Sequence, residues 1–106
     1  MIESEVSERM GDIDEAERLL RQVIELRRRR LGEEHPGLAW NLYCLARVQF
    51  EHRGETEEPE ALVRQALTIQ TERKGPQHSD VADCERLLAR IVAAAEPNNV
   101  RFDAPR

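Results

Sequence analysis

Three histidines, two cysteines and twenty-one carboxylates are the side chains here that could carry chemistry. His35 and His78 would be the natural start of a metal or acid–base site, with His52 as a third member. Cys44 and Cys84 could supply thiolates, but no CxxC and no Cys/His spacing of the zinc-binding kind accompanies them. No Ser–His–Asp or Cys–His set is suggested, and the carboxylates fall on faces that water would solvate, with nothing to raise a pKa. Catalysis, a bound metal and a cofactor are therefore not expected. The run Arg27-Arg28-Arg29-Arg30 suggests phosphate binding at first sight. Four successive helical residues, however, point in four directions, and Glu25, Glu33 and Glu34 lie close by. With a formal net charge of −5, attraction to nucleic acid or to an anionic membrane is disfavoured.

The elements that position these residues come in copies. Gly11 recurs as Gly54, Glu15 as Glu58, Glu17 as Glu60 and Leu19 as Leu62, a constant offset of 43 residues. Arg21-Gln22 recurs as Arg64-Gln65, Gly32 as Gly75, His35 as His78, Ala39 as Ala82 and Leu45-Ala46-Arg47 as Leu88-Ala89-Arg90. Conservative pairs fill the intervals, among them Leu20 with Val63, Ile24 with Leu67, Leu26 with Ile69 and Val48 with Ile91. A fixed period between about 20 and 50 residues marks a solenoid whose units bury their apolar faces on one another. Such arrays work mostly by offering a long surface to another chain.

Periodicity near 3.6 predicts helices over 2–10, 14–30, 37–52, 57–73 and 79–95. The segment 14–30 carries Ala16, Leu19, Leu20, Val23, Ile24 and Leu26 on one side; 57–73 carries Leu62, Val63, Ala66, Leu67 and Ile69 in the same register. Gly32 and Gly75 follow the basic ends Arg27–Arg30 and Arg73-Lys74, where a left-handed glycine and cations suit a helix C-terminus. Pro36 suits a first turn, Ser79 is the expected N-cap of the last helix, and Thr56 as an N-cap would put Pro59 in a first turn that tolerates it. His35 and His78 then sit in equivalent loops about 10 Å apart, too far to share a metal and suited to turns and caps. Residues 96–106, with Pro97 and Pro105, break the pattern and are expected to be a loosely ordered tail with Phe102 as its bulky anchor.

Composition agrees with a thin two-layer helical array. Hydrophobic residues make up 40% and charged residues 35%, too apolar for disorder and too polar for a thick core. No apolar run approaches the roughly 20 residues that cross a bilayer, and Met1-Ile2-Glu3-Ser4-Glu5 lacks the apolar stretch of a signal peptide. Cys44 and Cys84 read as buried reduced thiols, consistent with the cytoplasm.

The segment Leu31-Gly32-Glu33-Glu34-His35-Pro36-Gly37-Leu38-Ala39, followed by Leu42, Leu45, Ala46 and Gly54, resembles the tetratricopeptide repeat (TPR) of the kinesin light chain type. So do Gly11-Asp12-Ile13-Asp14-Glu15-Ala16-Glu17 and Arg64-Gln65-Ala66-Leu67-Thr68-Ile69. The resemblance spans nearly residues 5–95 and implies an all-α superhelix of about two repeats plus a closing helix. The repeat units would cover about 11–53 and 54–95 within an array over 1–95. There are departures. One extra residue separates Ala46 from Gly54, Pro59 replaces the family's small alanine with Ala61 beside it, and Glu85 stands at the position of Leu42. The last of these suits a closing helix that no further helix covers.

In this family the first helix of each repeat lines a concave groove that holds a partner segment. By position, the resemblance implies Trp40, Asn41, Tyr43, Arg47 and Phe50 or Glu51 on one helix, with Asp83, Arg86 and Arg90 on the last. The expected function is recognition of a protein or peptide segment, acidic or carboxylate-bearing, by arginine forks and an aromatic anchor. Two other readings stay open: a self-assembling homo-oligomer joined through exposed end helices, and, with less support, nucleic-acid binding.

Overall fold

The computed structural model describes residues 2–95, with side chains from Asp12 onward. The periodic segments fold as four helices: α1 (Ile2–Leu31), α2 (Pro36–Arg53), α3 (Glu57–Lys74) and α4 (Ser79–Ala95). The last three match the expected 37–52, 57–73 and 79–95 closely. The first does not: the separate helices expected over 2–10 and 14–30 are one continuous helix. Gly11-Asp12-Ile13-Asp14 contains no proline, and a helical glycine costs only about 1 kcal/mol relative to alanine. That is too little to break a run of this length. The expected tail over 96–106, with Phe102, lies outside the described residues.

The helix ends follow much of the expected chemistry, but Gly75, expected to be left-handed, has a ψ of 152° outside that region. Gly32 and Gly75 close α1 and α3 at φ of 93° and 95°, a backbone region that side chains with a Cβ rarely adopt. α2 ends in a reciprocal pair of hydrogen bonds, Gly54 N–H to the Phe50 carbonyl and Glu55 N–H to that of Gln49, both 3.2 Å. At the helix starts, the cap of α4 is His78, not Ser79. Its Nδ1 accepts the Asp80 N–H at 3.0 Å and its carbonyl accepts from Val81 and Ala82. His35 does the same for α2, with Nδ1 accepting the Gly37 N–H at 2.9 Å. The imidazole nitrogen replaces the usual hydroxyl or carboxylate oxygen, so the paired histidines are capping residues. Thr56 occupies the N-cap of α3 without a side-chain bond, and Pro59 is buried in the first turn as the sequence requires.

α2 is the central helix. It packs on α1 and α3 and touches α4, which rests mainly on α3. Arg90 of α4 reaches Glu51 of α2, while Arg21 of α1 reaches Glu58 of α3, so α2 and α4 form one layer and α1 and α3 the other. The thinnest dimension is 21 Å, two helix diameters. Leu38, Ala39, Leu42, Leu45 and Ala46 are fully or almost fully buried, joined by Ile24, Val63, Ala66, Ile69, Leu87 and Ile91. Ala39 and Ala46 carry so little side chain that a neighbouring helix can lie close. Glu85, at the position of Leu42, is exposed. Both cysteines are free; Cys84 is buried, whereas Cys44, expected to be buried as well, is only half-buried.

Candidate partner-binding site

Spacing of three and four residues sets Trp40, Tyr43, Arg47 and Glu51 on one stripe of α2, and Asp83, Arg86 and Arg90 on one stripe of α4. Trp40 is 48% exposed and stacks on Tyr43, ring centroids 5.4 Å apart and planes 25° from parallel. Tyr43 is held from below by the core. Arg47 follows one turn on, its guanidinium acidity weakened first by a hydrogen bond with Tyr43 and then by Glu51. Glu51 is shared: Arg47 Nε lies 3.6 Å from Oε1, and Arg90 Nη1 lies 3.1 Å from Oε2. The Arg90 guanidinium also sits 5.3 Å over the Phe50 ring, a cation–π contact that ties the two stripes together. Arg86 pairs with Asp83 in its own helix at 2.6 Å.

Of the residues named from the sequence, Trp40, Tyr43 and Arg47 share one stripe of α2 and Arg90 reaches it through Glu51 and Phe50, whereas Arg86 pairs within α4 and Asn41 lies elsewhere. Asn41 lies about a third of a turn round α2 from Arg47, on the side that carries Val48. Val48 lines a hollow with Asp12, Ile13 and Ala16 of α1, and the Asn41 Oδ1 is buried without a hydrogen-bond partner among the described residues. The arginines are not bare charges either. Glu51 half-neutralises two of them and Asp83 neutralises the third.

Sequence reasoning missed a second polar cluster, which joins three helices. Gln49 of α2 is fully buried, and its amide donates to Glu58 Oε1 of α3 at 3.0 Å and to Glu17 Oε2 of α1 at 3.3 Å. Arg21 bonds both carboxylates, and Arg53 bonds Glu17 at 3.0 Å and also Asp14. Partial burial works to raise the Glu17 carboxyl, but Arg21, Gln49 and Arg53 together hold it below the usual carboxylate range. Arg21 does the same for Glu58, against a smaller effect of burial. The available signal was the repetition of Glu15, Glu17 and Arg21 as Glu58, Glu60 and Arg64, which predicts a repeated pairing. In the arginine run, Arg28 lies beside Glu25 and Glu33, and Arg29 beside Glu25, so part of that charge is spent locally.

Among the described residues no helix is long and apolar enough to cross a membrane, and no three His, Cys, Asp or Glu side chains cluster as a metal site. Compared with known proteins, residues 4–72 match a family model described as the tetratricopeptide repeat. No curated protein and no solved structure matches the chain.

Proposed function

The chain belongs to the tetratricopeptide-repeat family, and from that premise we propose that it is a non-catalytic recognition module that binds a segment of a partner protein along the α2–α4 layer. Repeats of this family are in general protein–protein interaction modules. The resemblance of the Leu-Gly-Glu-Glu-His-Pro stretch at 31–36 supports reading it as the kinesin light chain type, and the free thiols accord with work in the cytoplasm.

One observation carries the reading: an almost half-exposed Trp40 stacked on Tyr43, with Arg47 one turn on and Arg90 further along at Phe50 and Glu51. A large ring held open to water by a neighbour already anchored in the core is pre-organised for contact, and Trp, Tyr and Arg dominate binding hot spots. The partner segment presents an apolar or aromatic residue to the Trp40–Tyr43 shelf. A carboxylate placed one turn further along competes with Glu51 for Arg47 and Arg90, and one near Arg86 competes with Asp83. The acidic preference is therefore modest, because each fork already has an internal partner.

The test is a displayed peptide library selected on the 106-residue chain, followed by titration of the selected segment against variants. Tyr43→Ala or Trp40→Ala should weaken binding about tenfold or more, and Arg47→Ala or Arg90→Ala less. A selected peptide indifferent to all four changes would remove this surface from consideration.

A further inference from the structure

We propose that a second copy of this chain continues the array head to tail, seating its α1 on the exposed face of α4. The interface needed already exists once inside the molecule, between α2 and α3. Residues 43 apart occupy equivalent places, so that internal interface can be compared with the two ends. In α3, Ile69 is 3% exposed and Leu62 is partly covered; their counterparts in α1, Leu26 and Leu19, are 50% and 48% exposed. In α2, Ala39, Leu42 and Ala46 are buried under α3; their counterparts in α4 are Ala82, half-buried, and Glu85 and Ala89, both exposed. Among the described residues, α1 therefore has no helix set against it as α2 is set against α3, and α4 has none set against it as α3 is set against α2. Each presents what the other is missing.

The polar contacts between repeats carry the same complementarity. Arg21 forks Glu58 across the α1–α3 layer at 2.9 and 3.1 Å while holding Glu17 in its own helix at 2.9 Å. The counterpart of Arg21 is Arg64, which holds Glu60 in its own helix at 2.7 and 3.0 Å, as Arg21 holds Glu17. The counterpart of Glu58 is Glu15, on α1. In a continued array Arg64 of one copy meets Glu15 of the next. Similarly, Arg73 Nε donates to the Glu34 carbonyl at 3.0 Å. Its counterpart Arg30 is exposed on α1, and the counterpart of Glu34 is Gln77, before α4. Arg30 of the second copy then reaches the Gln77 carbonyl. Both side chains of the first contact and the arginine of the second are thus present at the ends, with Glu15 paired meanwhile to Arg18 of its own helix. The opposing term is Glu85, a carboxylate where Leu42 is apolar, which keeps the association weak. The contact is heterologous, so it propagates rather than closing as a two-fold dimer does.

Sedimentation velocity and equilibrium on the 106-residue chain over a hundred-fold concentration range test this. The weight-average mass should rise without a plateau. Glu85→Leu should tighten association by about tenfold, as burying a leucine at that position does. Glu15→Arg alone and Arg64→Glu alone should each weaken it about three- to tenfold by opposing like charges. A mixture of the two variants should grow again, because each then meets its complement. Recovery on mixing cannot come from misfolding, and circular dichroism of each variant checks the helices. A monomer at all concentrations for both the parent chain and Glu85→Leu would overturn the proposal and leave the end faces to some other protein segment. A mass that levels off at a dimer, or mixing that restores nothing, would overturn it equally.

Discussion

Arg21 in α1 and Glu58 in α3 form a two-pronged ion pair, Nη2 to Oε1 at 2.9 Å and Nη1 to Oε2 at 3.1 Å, between helices whose backbones do not come close. The pair spans the outer layer above Gln49, which bonds Glu58 from beneath. Side chains of repeat-equivalent helices thus hold the spacing that the core side chains set.

This cluster predicts acid sensitivity. Glu17 and Glu58 are both held below the 4.5 of a free glutamate, Glu17 despite the upward pull of its burial and Glu58 chiefly by Arg21. A depressed folded-state pKa contributes stability that is fully present above the unfolded value and lost as pH falls through the folded one. The cluster's share of the melting temperature, read as the difference between the parent chain and Glu17→Gln, should be lost in a drop below about pH 4.5. Glu17→Gln should flatten that drop; an unchanged profile would mean the cluster adds nothing to stability.

Gln49 should be sensitive to loss of its amide more than to loss of volume. Gln49→Leu keeps a side chain of similar size but removes the donor to Glu17 and Glu58, and should cost about 1–3 kcal/mol in urea unfolding. Arg64→Leu, at an exposed position, should change stability by less than about 1 kcal/mol.

The histidine caps give a matched pair. His35→Ala and His78→Ala should each cost about 1 kcal/mol, and His78→Asn, whose side-chain oxygen can accept the same N–H, should recover most of it. Thermal unfolding of the three variants decides this. No loss in either alanine variant would show the imidazole bonds to be incidental.

The thiols should separate by rate. Burial, with Asp83, Asp80 and Glu85 nearby, pushes the Cys84 thiol up to about 11. Burial also raises Cys44, offset in part by Arg47, and Cys44 is only half-buried. An aromatic disulfide reagent at pH 8 should label Cys44 first and Cys84 only on unfolding. Equal labelling rates would contradict the packing of α4.

The helices, their stops and most of the core follow from local physics that a sequence displays. Leu38, Leu42 and Leu45 recur at helical spacing, Gly32 and Gly75 end basic helices, and Pro59 tolerates only a first turn. The same locality explains the misreadings. Gly11 and Gly54 are both glycines before acidic segments, yet one is helical and the other ends α2. What separates them is Pro59, which follows Gly54 and tolerates only a first turn, whereas the helix that holds Gly11 has no proline. Ser79 and His78 both offer a capping atom, and only the entry path of the chain gives the Asp80 N–H to the imidazole.

By itself the sequence determined the period, the helix content and the stripe of aromatic and arginine residues on α2 and α4, because 3.6-residue spacing fixes angle within a helix. Only the tertiary structure decided which carboxylate each arginine holds and what packs against the side of α2 that carries Asn41. It also decided that a glutamine lies at the centre of the charge cluster. Those depend on how rows of side chains from helices some 30 to 40 positions apart meet, as Arg21 meets Glu58 and Arg90 meets Glu51. Crossing geometry sets such meetings, and crossing geometry is a property of the packed layers rather than of any one helix.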